Sequence, residues 1–230
     1  MLAYRKPGGL LAPGGDMFRV VASGRVVGTG SAGSEYCYFN MPTLGGAVGD
    51  VMIIFNPYDG GNGAGSGGVS SAGAGWTSGT DAWMYANGTF AYKTLDATDI
   101  AATAMRFLAR SAYSTMWVIL RNLVGTSLTA TLKQKLEIPT DATSVMTFPG
   151  YTKSGLSKGH IMLVYDRDNL STWNAPAGHT PPYNVAQDGL FVGAISDLRN
   201  PSNYQSLSNL VWTMTGTQTY GQTGLLFELT

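Results

Sequence analysis

The chain has little charge, one cysteine and two histidines. Charged residues make up 12% of its 230 residues, about half the usual share of roughly a quarter. The basic and acidic side chains cancel, and the formal net charge is zero. Nucleic-acid binding requires clustered Lys and Arg, whereas Arg106, Arg110 and Arg121 are spread through apolar segments. The sequence therefore predicts no nucleic-acid partner.

The single cysteine, Cys37, excludes a disulfide within the chain. Its strand-like surroundings predict a buried and unreactive thiol. The residues after Met1 lack the apolar core of a signal peptide, and no apolar run is long enough to span a membrane. We therefore expect synthesis in a cytoplasm and no membrane partner.

Residue sets that support catalysis or metal binding are also scarce. His160 and His179 have no nucleophile elbow near them in sequence, and surface or turn positions are expected for both. Asp166 and Asp168 resemble the start of a calcium loop, but its downstream acid is absent. A glycosidase pair of distant carboxylates stays open without anything to favour it. We predict no enzyme activity, no cofactor and no metal.

Two segments match the dinucleotide pattern G-x-G-x-x-G, at residues 28–33 and 63–68. That fold needs a helix directly after the glycines, because the helix N-terminus binds the pyrophosphate. A strand-like segment that ends at Pro42 follows the first motif instead. We interpret both matches as chance.

Glycine is abundant, with 31 residues against an average share of about 7%. Nine of them fall between Gly60 and Gly79, just after the apolar segment 51–55. Glycine loses the most backbone entropy on ordering and buries no side chain. Residues 60–75 therefore predict a long surface loop that ends near Trp76. Such loops are usually functional or disordered, and this one, lacking catalytic groups, indicates assembly.

Short β-prone segments recur along the chain with Gly, Pro and Asn turns between them, which predicts about twelve strands. The apolar run at residues 50–55 predicts a strand buried on both faces. Asn87-Gly88 predicts a hairpin, and Ser23-Gly24 predicts a break between two further strands. Helix signals are limited to single turns within residues 94–102 and 168–173.

These signals predict an all-β protein. We expect a single β-sandwich, jelly-roll-like in its connections, over residues 17–230. An extended Pro/Gly-rich N-terminal arm over residues 1–16 precedes it. No internal repeat and no further domain boundary is evident from the sequence.

Aromatic residues cluster beside the glycine loop and in predicted loops. Exposed Tyr and Trp next to Asn, Ser and Gly can form adhesive or sugar-stacking surfaces. Core packing and subunit contacts explain the same residues equally well. The candidate contact residues are Trp76, Trp83, Trp173, Tyr183 and Tyr204.

Five short segments, taken in order from about residue 44 to the end, resemble a known family. The segments are Gly49-Asp50, Ala74-Gly75-Trp76, Phe90-Ala91-Tyr92-Lys93, residues 116–121 and residues 224–229. Their order resembles the Gly-rich β-sandwich domain of bacteriophage virion proteins, which include tail-fibre, minor tail and head-decoration components. The glycine loop of this chain is longer than the resemblance implies.

The resemblance assigns structural roles to several residues. Gly49 makes a turn before a buried strand, and Gly75 lets the backbone bend so that Trp76 covers the open end of the sandwich. Arg121 ends a core strand and bonds loop carbonyls. Asn122 stands where the family commonly has glycine, and Asn also tolerates the left-handed conformation.

A surface with few charges gives little protection against association. We therefore expect a homo-oligomer that serves as a structural component of a bacteriophage virion, on the exterior of the head or tail. Its partners would be other virion proteins, with the arm docked on a neighbour. The alternative is a carbohydrate- or receptor-binding adhesion module that recognises a host surface glycan through loop aromatics. A hydrolase is the least supported class.

Overall fold

The computed structural model describes residues 5–6, 9–10, 16–26, 29–31, 34–56, 68–80, 89–109, 115–138, 145–166, 172–180, 183–187, 192–199, 206, 208–215 and 222–230. Within these residues there are nineteen strands, one α-helix and one 3-10 turn. The strands of the first part of the chain are β1 (Arg5–Lys6), β2 (Gly9–Leu10), β3 (Phe18–Val26), β4 (Thr29–Ser31), β5 (Ser34–Phe39), β6 (Val51–Asn56), β7 (Val69–Ser70), β8 (Thr77–Thr80), β9 (Thr89–Thr94), β10 (Met105–Ala109) and β11 (Thr115–Asn122). Those of the second part are β12 (Ala130–Ile138), β13 (Val145–Phe148), β14 (Gly159–Asp166), β15 (Thr172–Asn174), β16 (Tyr183–Gln187), β17 (Val192–Arg199), β18 (Leu210–Thr215) and β19 (Gln222–Leu229). The 3-10 turn is Met41–Thr43, and helix α1 is Ala97–Ala101.

Four antiparallel sheets form the body of the protein. The first outer sheet has the order β4-β5-β10-β7, and the first inner sheet has the order β3-β11-β6-β9-β8. The second inner sheet has the order β12-β19-β14-β17-β16, and the second outer sheet has the order β13-β18-β15. Strands β1 and β2 pair with each other. The all-β class is confirmed, but there are twice as many sheets as one sandwich contains.

Period-two alternation of side chains explains the stacking of these sheets. In β6, Ile53 and Phe55 belong to a core cluster between the two inner sheets, whereas Met52 and Ile54 face the first outer sheet. Strand β14 alternates in the same way between the shared core and the second outer sheet. The prediction that residues 50–55 are buried on both faces is therefore confirmed, because a sheet covers each face.

The two parts of the chain repeat one strand order. We call residues 18–122 the first half and residues 130–229 the second half. Replacing β3, β11, β6, β9 and β8 by β12, β19, β14, β17 and β16 converts the first inner sheet into the second. Replacing β5, β10 and β7 by β13, β18 and β15 converts the outer sheets in the same way, apart from β4. The strand order therefore reveals an internal repeat that was not evident from the sequence.

Strand registers agree between the halves as well. Val51 pairs with Leu120 in the first half, and Ile161 pairs with Phe227 in the second. Residues 49–56 thereby align with residues 159–166, which gives GDVMIIFN against GHIMLVYD. Two identities and a matched apolar run are too weak to detect against the whole sequence without the register.

A β-bulge at the same place in each half supports this alignment. One extra residue interrupts the pairing of the first strand of each half, Val21 in β3 and Lys133 in β12. Gly49 and Gly159 both have positive φ, +89° and +145°, which glycine tolerates without steric cost. Added Cβ atoms there would collide with backbone carbonyl oxygens. The predicted glycine turn before β6 is thus present.

The predicted break at Ser23-Gly24 is wrong, because β3 runs without interruption from Phe18 to Val26. Gly24 pairs with Trp117 of β11. An added Cβ would lie 2.9 Å from Trp117 Cζ2. The glycine therefore makes room for an indole packed over the strand, and turn formation is not its role.

The remaining local predictions have mixed outcomes. The helical turn predicted within residues 94–102 is confirmed as α1, whose N-cap is Asp96. Residues 172 and 173, placed in a second helical turn by the sequence, belong to β15 instead, and residues 168–171 lie outside the described residues. The hairpin at residues 87–88 and much of the glycine loop lie outside the described residues. Neither helical segment in the described part of the chain has the length and apolarity needed to cross a membrane.

The arm over residues 1–16 and the domain over residues 17–230 stay predictions, as do the jelly-roll connections. Seventeen buried residues, drawn from both halves and from Leu128 between them, form the shared core between the inner sheets. The repeat divides the strands into two sets, whereas this core joins them. The chain can therefore fold as one cooperative unit although its strand order is repeated in two halves.

Candidate functional site

Each half has a polar pair where the central strands of its inner sheet meet the loops, and three of the four side chains are buried while that of Arg121 is partly exposed. In the first half the pair is Asp50 and Arg121, and in the second half the aligned residues are His160 and Glu228. All four side chains alternate with shared-core residues and so point towards the outer sheets. The polar positions are the same in the two halves, but the side chains that occupy them differ in chemistry.

Asp50 and Arg121 form a two-point ion pair. Arg121 Nη2 donates to Asp50 Oδ2 at 2.7 Å, and Arg121 Nε donates to Asp50 Oδ1 at 2.9 Å. Arg121 Nη2 also donates to the carbonyl of Gly45 at 3.2 Å, as the resemblance implied. The hydrogen bonds and the charge of Asp50 raise the pKa of the Arg121 guanidinium. This pair fastens residues 45–50 to the end of β11.

In the second half, both carboxylate oxygens of Glu228 have a partner. Its Oε1 accepts from the Ser154 amide at 2.7 Å, and its Oε2 is 2.8 Å from Lys133 Nζ. Burial works to raise the pKa of Glu228, but Lys133 and the hydrogen bond from the Ser154 amide outweigh it and the pKa is lowered. The bulge residue Lys133 thus supplies the cation that Arg121 supplies to the first half.

The two histidines belong to no common sequence motif, but they form a direct hydrogen bond with each other. His160 Nε2 and His179 Nε2 are 2.6 Å apart, and the ring centroids are 4.8 Å apart. His179 Nδ1 is 3.3 Å from the carbonyl of Ala177 and must donate there, because a carbonyl only accepts. His179 Nε2 is then the acceptor, and His160 Nε2 carries the proton.

This tautomer leaves His160 Nδ1 as a buried lone pair without a hydrogen-bond partner. A proton there would be a buried donor with no acceptor, which is the costlier state. Burial, and then the proximity of His179, lower the pKa of His160 to about 3. Burial also lowers the pKa of His179, against opposing effects of Ala177, Pro176 and Asp197. Both rings are therefore neutral at physiological pH.

Tyr151 connects this buried cluster to the surface. Its ring centroid lies 6.1 Å from that of His160 at an interplanar angle of 72°, and Lys133 Nζ lies 5.8 Å from it. Burial and the charge of Glu228 raise the pKa of the Tyr151 phenol, which therefore stays protonated. The side chain lines an open cleft of about 840 Å³.

Asp99 is the centre of a third polar cluster, in the first half. It is fully buried, lies 2.7 Å from Lys93 Nζ and accepts from the Gly73 amide at 2.9 Å. The Trp76 indole donates to the same carboxylate at 3.1 Å. Burial works to lower the pKa of Lys93, but Asp96 and Asp99 outweigh it and raise the pKa. The end of the glycine loop is thereby fixed to α1.

Of the five predicted contact residues, the structure describes the side chains of Trp76 and Trp173, and these two pack in different core clusters. Trp76 is half-buried against the core beneath the first outer sheet. Trp173 is 1% exposed and packs edge-on against Trp212. Tyr183 begins β16, but its side chain lies outside the described residues, as do Trp83 and Tyr204. An exposed role for Trp173 is therefore wrong, because alternation along β15 turns its indole inwards.

Two further expectations are corrected. His160 is completely buried, whereas the sequence predicted a surface or turn position, which describes only His179. Asn122 is not among the described non-glycine residues with positive φ. Its side chain instead donates to the Ser127 carbonyl and accepts from the Val124 amide at 3.0 Å. An Asx-type turn thus replaces the expected left-handed residue.

The geometry of the cluster around His160 favours a role in stabilising the fold. Both Glu228 oxygens are occupied, and the paired imidazoles resist protonation. Within the described residues no group of three metal-ligating side chains lies together. Sequence reasoning missed the roles of Glu228 and Lys133, because their relation depends on strand register and on a bulge. The one available signal was the G-H-I-M-L-V-Y segment, which repeats G-D-V-M-I-I-F.

No protein-family model, curated protein or solved structure matches the chain. Its function must therefore be inferred from its own residues and geometry.

Proposed function

We propose that the chain is a structural component of a bacteriophage virion, on the exterior of the head or tail, that works through contacts between copies and with other virion proteins. The order of glycine, aromatic and apolar segments supports this proposal, as does the scarcity of charge. We interpret each half as one jelly-roll-like unit, an architecture that capsid proteins use. The jelly-roll interpretation is an analogy of fold, and it supports the proposal only together with the evidence from specific residues.

The observation that carries the proposal is the outward face of the second outer sheet. Alternation places seven exposed side chains on it, and none of these described residues is charged. They are Val145, Thr147, Thr172, Asn174, Val211, Thr213 and Thr215. Val145 and Val211 are 41% and 40% exposed. Charged side chains normally protect such a β-branched surface from association.

A second copy of the chain is the occupant that we propose for this face. With zero net charge, copies do not repel each other over long distances. The inner sheets of the chain already pack face to face through aliphatic and aromatic side chains. Closed two-fold pairing of one face with itself is the commonest route to a homo-oligomer.

The oligomeric mass tests this contact. We expect the wild-type chain to sediment as a species larger than its 24.3 kDa protomer. Thr213→Lys places an unpaired charge at the middle of the face and should yield protomers, because burying that charge is costly. Thr131→Lys changes an exposed threonine on β12 and should leave the mass unchanged. A wild-type protomer at high concentration contradicts the oligomer.

The virion location has its own test. Antibodies raised against the purified chain should label intact particles in electron micrographs of a lysate from infected host cells. Label on the head or the tail identifies the position. Particles that exclude the antibody and lack the chain by mass spectrometry contradict the proposal.

The alternative, glycan recognition through loop aromatics, loses one of its residues. The buried Trp173 ring offers no face to a sugar, and Trp76 is held by Asp99. The subunit role is therefore the better supported of the two, and any saccharide site must use other residues.

A further inference from the structure

An open cleft lies at one end of the second outer sheet. It occupies the space where the chain leaves β13 and returns to β18, and its volume of about 840 Å³ falls in the range of small-ligand sites. An isolated antiparallel bridge between Thr152 and Ser206 joins its two sides. The Gly150 amide donates to Asn209 Oδ1 at 3.1 Å and ties the sides again.

The walls of the cleft offer neutral hydrogen-bonding groups. Thr152, Ser206 and Ser208 bring three hydroxyls, and no charged side chain is among its described lining residues. Because Asn209 Oδ1 accepts from a backbone amide, its Nδ2 group remains to donate into solvent or to a ligand. A hydroxyl-rich, uncharged ligand matches this combination of donors and acceptors.

Tyr151 provides an aromatic wall that is already held in place. The His160 ring centroid lies 6.1 Å from that of Tyr151, and Lys133 Nζ lies 5.8 Å from it; the Tyr151 phenol stays protonated. A tyrosine combines an apolar ring with a polar tip, and holding it before binding reduces the entropy lost on association. Lys133 is itself paired with Glu228 at 2.8 Å, so its charge is neutralised within the protein.

We propose that this cleft binds a neutral saccharide, with Tyr151 as the ring platform and Asn209, Ser208 and Thr152 as hydrogen-bonding partners. An anionic sugar or a phosphate would find no cation in the described lining. A peptide would need an apolar pocket for its side chains, whereas four of the seven described lining residues, Thr152, Ser206, Ser208 and Asn209, offer hydroxyl or amide groups. The proposal is independent of the virion role, since saccharide binding and oligomer mass can fail separately.

Saturation-transfer NMR with soluble neutral hexasaccharides of glucose and of N-acetylglucosamine tests the proposal. We expect at least one to bind the full chain, and sulfated or sialylated sugars and a mixed pool of short peptides to bind more weakly. Asn209→Ala and Tyr151→Ala should each weaken binding by about tenfold or more. Tyr38→Ala removes a tyrosine that is 47% exposed in the first half and serves as the matched control.

Ser208→Trp supplies a variant that does not depend on the stability of the Tyr151 substitution. Ser208 is exposed, so the fold should tolerate the indole while the indole obstructs the cleft beside Asn209 and abolishes binding. Binding that survives Ser208→Trp or Asn209→Ala would overturn the assignment of the site. The absence of any neutral-sugar binding, or a preference for peptides or anionic sugars, would overturn the ligand class.

Discussion

Acidification from about pH 7.5 to about pH 5 should destabilise the fold through the histidine pair. His160 is fully buried, and its Nε2 lies 2.6 Å from His179 Nε2. A proton on His179 Nε2 would place two N–H donors opposite each other. A proton on His160 Nδ1 would leave a buried donor without an acceptor. The charged and titratable groups around the pair are His179, Glu228, Lys133 and Tyr151, with Asp197 acting on His179.

The expected loss follows from proton linkage. The pKa of His160 is lowered from 6.5 to about 3 in the folded chain. Its contribution to stability is therefore complete above the unfolded pKa and is lost as the pH falls from about 6.5 towards 3. At about pH 5 the unfolded chain has bound the proton and the folded chain has not, which costs about 2 kcal/mol. Total stabilities of about 5–15 kcal/mol make this loss measurable.

Urea unfolding at a series of pH values measures the effect, and NMR reads it residue by residue. With two histidines in the chain, the two imidazole Hε1 signals can be assigned from a single His179→Gln variant. We expect the His160 signal to stay in its neutral position down to about pH 4. His160→Gln keeps a donor towards His179 and should reduce the pH dependence of the unfolding free energy between pH 7 and 5, leaving the part that His179 contributes through its own lowered pKa.

A His160 signal that titrates near its ordinary pKa of 6.5 would refute the buried pair. The same conclusion would follow if His160→Gln had the same pH slope as the wild type. Glu228 does not confuse this reading, because its lowered pKa places the loss of its contribution below an ordinary carboxyl pKa of about 4.3.

Three further substitutions test the fold. Gly159→Ala should lower the unfolding free energy by about 2–3 kcal/mol because of the φ of +145° and a collision with a neighbouring strand's backbone, whereas Gly155→Ala, with open space around it, should change the urea midpoint little. Phe227→Ala in the shared core should cost about 3–5 kcal/mol and keep one cooperative transition, and two separate transitions would show that the halves unfold independently. Asp99→Asn should lower the unfolding free energy by about 3 kcal/mol, because it leaves Lys93, whose side chain is 9% exposed, with one acidic partner fewer. An unchanged thermal midpoint would contradict that role of Asp99.

Local sequence signals were most reliable where one residue type has one physical use. The apolar run at residues 50–55 predicted a strand buried on both faces, and the chain buries all of Val51–Asn56. The capping residue Asp96 explains why α1 begins where the sequence placed a helical turn. The same approach failed at Gly24, because a glycine that accommodates an indole and a glycine that makes a turn look identical in sequence.

The candidate site was harder to predict for a physical reason. His160 and Glu228 are 68 positions apart by their numbers, and they meet because β14 and β19 pair in one register. Lys133 reaches Glu228 from a bulge, and neither bulges nor registers leave a local pattern. The histidine therefore appeared to be a surface residue until its strand neighbours were known.

The sequence by itself determined the all-β class, the alternation that buries both faces of the central strands and the shortage of charge, because these depend on residue type and local spacing. The tertiary structure decided that the strands form two repeated halves around a shared core, that Trp173 faces inwards, and that Tyr151 is held beside a cleft. Those features depend on which strands pair and in what register, and contacts between residues far apart along the chain fix both.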